Sequence, residues 1–137
     1  MANGTIAFDT LSTSGQISGT AKSVDSDYLA SGSAKCWLSF NGAATPPAIR
    51  SSFNVSSLTD NSVSDYTINI DNDMADANFA WSWGVRDGTT EGRGRFMNPR
   101  DNKILTASAF EIEFQNDDSN ALNEPAIGCV IIHGDLA

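Results

Sequence analysis

Positive charge, cysteine, proline and histidine are all scarce in these 137 residues. There are 8 Lys and Arg, 2 Cys, 4 Pro and a single His. Against 17 Asp and Glu, the few cations leave a net charge of −9. That balance argues against a general nucleic-acid binder, which needs many Lys and Arg to displace counterions from phosphate. No apolar run approaches the roughly 18 to 20 residues of a membrane helix, so no membrane insertion is expected. The start, Met1-Ala2-Asn3-Gly4-Thr5, lacks the basic and apolar stretches of a signal peptide, and synthesis without export is expected. Cys36 and Cys129 are too few for a disulfide framework or a zinc site. In a reducing cytoplasm they are expected to stay buried thiols, with a Cys36–Cys129 bridge as the alternative.

What is plentiful is neutral and polar. Ser, Thr and Asn number 17, 10 and 12, a surface suited to strands and turns rather than helices. At 40% hydrophobic the chain can bury a core, and its length favours one domain with a tail. The first 33 residues are rich in Ser, Gly, Thr and Asp, with apolar residues scattered without a period. They predict an extended N-terminal arm with short strand pieces over 1–33. Such an arm stays ordered only by pairing with its own body or with a neighbour.

From Lys35 the pattern alternates. Cys36, Leu38 and Phe40 share one face, and Lys35, Trp37 and Ser39 share the other. Asn41-Gly42 signals a turn. Ile49, Phe53 and Val55 share a parity, and Thr59 to Ser62 reads as a second turn. Tyr66, Ile68 and Ile70 alternate with Asp65, Thr67 and Asn69. A third turn over Asp71 to Asp76 leads into Phe79, Trp81, Trp83 and Val85, a parity that predicts burial of both tryptophans. Phe110, Ile112 and Phe114 form another alternating strand. The segment Ala126 to His133 is apolar on both faces and is expected to be central or sandwiched. No helical period is sustained. The pattern predicts an all-β fold, an antiparallel β-sandwich of about 6–7 strands over residues 34–137.

One segment breaks the alternation. Arg86 to Lys103 holds five of the eight basic residues, Arg86, Arg93, Arg95, Arg100 and Lys103, against Asp87, Glu91 and Asp101. It therefore carries +2, and the rest of the chain −11. Read as a long loop at 86–103, it has two interpretations. As a contact loop, its arginines would meet an acidic neighbour, a copy of the same body or an anionic glycan, with Phe96 and Met97 as apolar anchors. As a hairpin tip, its arginines would pair locally. Its glycines lack the Gly-Lys-Ser/Thr ending of a phosphate loop.

Catalysis has little support. His133 is a strand-end histidine with no defined triad. Glu111 and Glu113 lie about 7 Å apart on one strand face, a glycosidase-like separation, but an exposed polar face explains them better. Asp71, Asp73 and Asp76 lack the glycine and closing glutamate of a calcium loop. No enzyme activity, cofactor or metal is expected. Trp37 is the leading interface residue: it faces away from Cys36, Leu38 and Phe40, and an outward Trp is costly unless covered.

Three stretches taken together, Ala34-Lys35-Cys36-Trp37-Leu38-Ser39-Phe40-Asn41-Gly42, Ala48-Ile49-Arg50-Ser51-Ser52-Phe53-Asn54-Val55-Ser56-Ser57-Leu58-Thr59-Asp60-Asn61 and Asp65-Tyr66-Thr67-Ile68-Asn69-Ile70, resemble a module of tailed-phage virion proteins, of the marine-phage type. The turn Met74-Ala75-Asp76-Ala77-Asn78-Phe79 follows, as Met-Pro-Asp-Ala-Asn-Tyr does there. The likeness covers Ala34–Phe79. It implies a structural protein of the virion, made in the host cytoplasm: a tail fibre or tail protein, a tail accessory protein or a capsid decoration protein. Its partners would be other tail or capsid proteins and copies of itself, commonly as a trimer. The alternative is a carbohydrate-binding module, a receptor-binding adhesin for a host surface glycan, with Trp37, Phe96 and the arginines as its site.

Overall fold

The protein is described from a computed structural model. It describes residues 16–18, 23–25, 30–86, 95–97, 102–117, 119 and 121–137. The chain divides into two compact units, Met1–Ser33 and Ala34–Ala137. In the first unit β1 (Gln16–Ser18) pairs antiparallel with β2 (Ser23–Asp25).

Eight strands are described in the second unit. They are β3 (Cys36–Asn41), β4 (Ala48–Phe53), β5 (Val55–Ser62), β6 (Asp65–Ile70), β7 (Ala80–Arg86), β8 (Arg95–Met97), β9 (Ala109–Asn116) and β10 (Ile127–His133). They form two four-stranded antiparallel sheets that pack as a sandwich. Sheet I has the order β4-β3-β10-β7, and sheet II the order β5-β6-β9-β8. The central pairs, β3–β10 and β6–β9, join strands far apart in sequence. The local hairpins β3–β4, β5–β6 and β8–β9 place their outer members on the sheet edges.

The alternation read from the sequence becomes the core. Cys36, Leu38 and Phe40 of β3 and Val130 and Ile132 of β10 face Tyr66, Ile68 and Ile70 of β6 and Phe110, Ile112 and Phe114 of β9, all buried. Aromatic edges bridge the sheets at both ends. Phe40 meets Tyr66 edge-on at 4.9 Å, and Trp81 meets Phe110 at 5.1 Å. Gly128 leaves room for the Phe40 ring; a Cβ there would come within 2.4 Å of it.

Four local readings are corrected. The run Ile49 to Val55 is two strands, not one. Asn54 takes the left-handed conformation (φ 56°) and sends the chain from sheet I to sheet II. Thr59 to Ser62 belongs to β5, and the turn sits at Val63-Ser64, where Ser64 has φ 61°. Its hydroxyl donates to the Asn123 carbonyl at 2.6 Å, which anchors the turn.

The segment 86–103 is not a continuous loop, because β8 lies within it and extends sheet II along β9. The fourth correction concerns Trp83. Its parity matches that of Trp81, which packs against the core, yet Trp83 is 43% exposed. The physical reason is that β7 is an edge strand of sheet I, so inward parity there does not guarantee cover.

Candidate functional site

Strand register assembles the site on the outer face of sheet I. Phe53 stands opposite Trp37, Trp37 opposite Ile131, and Ile131 opposite Ser82. Neighbouring strands lie about 4.8 Å apart, so the first three side chains form one continuous apolar row. Phe53 is 55% exposed and Ile131 41% exposed, with Trp37 half-buried between them. The next row is small and polar: Ser51, Ser39, Cys129 and Gly84. The Cys129 thiol donates to the Ser39 hydroxyl at 3.7 Å. A shallow depression of about 230 Å³ opens between β7 and β10, lined by Ser82, Trp83, Gly84, Cys129 and Ile131.

The cause of this row is local. Trp37 sits between three inward residues of β3, and the strict alternation of an antiparallel pair turns it outward. The strand β10 is apolar on both faces but central in a two-layer sandwich, so only one of its faces meets the core. The strand is central in sheet I, as its two apolar faces predict, and Ile131 is left open on the outer one.

The remaining expected contact residues are dispersed. Arg86 ends β7 on the same outward parity as Ser82 and is exposed. Arg95 and Met97 are buried on β8, with Met97 in the core opposite Phe114. Phe96 is half-buried on the other face of β8, opposite Gln115. Met97 is thus not a loop anchor, because the alternation of β8 points it inward. Arg93 and Arg100 lie outside the described residues. Phe53 went unread as a surface residue, and its signal was Asn54, whose left-handed turn removes it from the strand of Val55.

Lys103 stays in the β8-to-β9 connection, but its side chain turns onto sheet II. Its ammonium sits between the carboxylates of Asp65, Glu111 (3.0 Å) and Glu113 (3.9 Å), with the shortest bond to Asp65. Gln115 donates to Glu113, and Asn61 to Asp65 and Thr67. Burial pulls the Lys103 ammonium down. Hydrogen bonds and attraction from Asp65 and Glu111 outweigh it, so its pKa is held above the ordinary lysine value. Glu113 is only 3% exposed, which replaces the expected exposed polar face with a buried ionic cluster. Lys103 occupies the space between Glu111 and Glu113 where a glycosidic bond or a cation would have to sit.

The cysteines do not pair. Cys36 faces the core opposite Ile132, and Cys129 lies three residues along β10 on the outer face; both thiols are free. Burial pushes the Cys36 thiol up to about 11. His133 ends β10 opposite Ala80. Among the described residues, no group of three or more His, Cys, Asp or Glu side chains is placed to hold a metal ion, and no helix is long and apolar enough to cross a membrane. Comparison with protein-family models, curated proteins and solved structures gave no match.

Proposed function

We propose that this chain is a non-enzymatic structural protein of a tailed-phage particle, a surface component of tail or capsid that docks through the outer face of sheet I. The observation that carries this reading is the open row Phe53–Trp37–Ile131. A contiguous outward row with an aromatic centre is what a protein interface covers. The resemblance over Ala34–Phe79 supplies the setting, and a homo-oligomer, commonly a trimer, is the assembly it implies. Residues 1–33 would add contacts to neighbouring subunits.

Magnitudes bound the strength of the contact. Covering the exposed parts of the three side chains contributes on the order of 3–5 kcal/mol. Association costs about 4–15 kcal/mol in lost freedom. One such contact is weak, and an array of copies on a particle makes it effective.

The depression beside Ile131, with the Ser82 hydroxyl at its rim, supports a second reading as a glycan-binding face. Phage carrying Trp37→Ser with Phe53→Ser separates the two. Particles that lack the protein support docking; particles that keep it but adsorb poorly to host cells support glycan binding. Normal content with normal adsorption would reject both.

A further inference from the structure

Sheet I is chemically unlike the rest of the molecule. None of the 17 Asp and Glu residues lies in β3, β4, β7 or β10. The charged residues within its four strands, Arg50 and Arg86, are both cationic. Arg86 ends β7, and Lys35 leads into β3 with its backbone N–H on the Ile132 carbonyl at 2.9 Å. Arg50 sits at the irregularity in β4, where its guanidinium reaches past β3 to the Ala126 carbonyl at 3.1 Å. Arg50 and Arg86 are exposed. The apolar row of Phe53, Trp37 and Ile131 lies among them.

The β6–β7 connection has the complementary chemistry. Asp71, Asp73 and Asp76 are exposed there. The C-terminal residues are held beside them. Met74 bridges Leu136, the Ala75 N–H donates to the Asp135 carbonyl at 2.8 Å, and the Ala137 N–H donates to the Asp73 carbonyl at 3.0 Å. This end of the sandwich therefore presents four exposed carboxylates, Asp71, Asp73, Asp76 and Asp135, around Leu136, which is 45% exposed. It is an acidic pole with an apolar tip.

We infer that the outer face of sheet I in one copy receives the acidic pole of a second copy. This rests on the reading of that face as a docking surface, and it names the occupant. Copies of net charge −9 repel at long range, so association is favoured where the charge is locally reversed, as it is on sheet I. The contact joins two different surfaces, so it is head-to-tail and does not close on itself after two copies.

Sedimentation velocity of the full chain at high concentration tests this. In low salt the wild type should form dimers and longer chains, and these should dissociate as salt screens the contact. Arg50→Glu with Arg86→Glu spoils the face. Asp71→Lys with Asp73→Lys spoils the pole. Each variant alone should associate at least about tenfold more weakly. Mixed together, they retain one intact face and one intact pole, so the mixture should give dimers and nothing longer.

Unfolding midpoints equal to wild type would show that both variants fold. A wild type that stays monomeric in low salt would overturn the inference, as would a mixture that fails to dimerise. A monomer whose face binds an acidic polysaccharide, with binding lost in the Arg50/Arg86 variant, would also overturn it and give the face to a glycan. Absence of the Trp37→Ser, Phe53→Ser protein from particles, with monomeric wild type, would keep the docking reading and assign the partner to another virion protein.

Discussion

Asn54 and Asn72 clasp each other where the chain passes between the two sheets. The Asn54 side chain accepts the Asn72 backbone N–H at 2.6 Å and donates to the Asn72 carbonyl at 2.9 Å. Asn54 lies in the β4-to-β5 crossing and Asn72 in the β6-to-β7 crossing, so one side chain ties both together. Asn54 also holds φ 56°, which Asn and Gly tolerate better than other residues. Asn54→Gly should lose only the hydrogen bonds, about 1–2 kcal/mol. Asn54→Ala should cost about 1–2 kcal/mol more through backbone strain. Urea denaturation of the two variants measures the difference.

Lys103 holds three carboxylates on the outer face of sheet II. Lys103→Met leaves them without their cation and should destabilise the fold by about 3–5 kcal/mol at neutral pH. In the wild type the folded-state pKa of Lys103 is raised. Its stabilisation is therefore complete below the unfolded lysine value of about 10.4 and disappears as pH rises through the higher folded value. Denaturation midpoints across alkaline pH should fall in the wild type and lack this component in Lys103→Met.

The Tyr66 hydroxyl is buried and, among the described residues, makes no hydrogen bond. Its ring packs against Phe40 and Phe114. Tyr66→Phe keeps that packing and removes a desolvated hydroxyl, so stability should stay level or rise by up to about 1 kcal/mol. Gly42→Ala should do the reverse, because a Cβ there would lie 2.4 Å from the same hydroxyl and 2.7 Å from Pro125. Thermal melts of both variants compare the two signs.

The thiols should differ in reactivity. Cys36 is buried, with its pKa pushed up to about 11, and Cys129 sits at the rim of the surface depression. A thiol reagent should modify Cys129 in the native protein and reach Cys36 only on unfolding. Modification of Cys129 should also hinder docking on that face. Mass spectrometry of native and denatured samples reads the first result.

The period-two pattern made the core strands legible, because alternation over Cys36–Phe40, Tyr66–Ile70 and Phe110–Phe114 fixes which face is buried. It exposed Trp37 for the same reason. It failed where a single residue changes sheet, as at Asn54, and where a strand is only three residues long, as at Arg95–Met97. Charge clustering along the chain misled as well. Arg95 and Lys103 lie in a basic stretch, but burial and long-range partners such as Asp65 decide their roles. Phe53 and Ile131 became visible only once strand register placed them beside Trp37.

The most direct measurement is a reconstruction of the assembled particle at a resolution that shows side chains. The outer face of sheet I should be covered, with Trp37 and Phe53 against a neighbouring protein and Arg86 within reach of carboxylates. A particle in which that face lies open to solvent on every copy, or from which the protein is missing, would contradict the account.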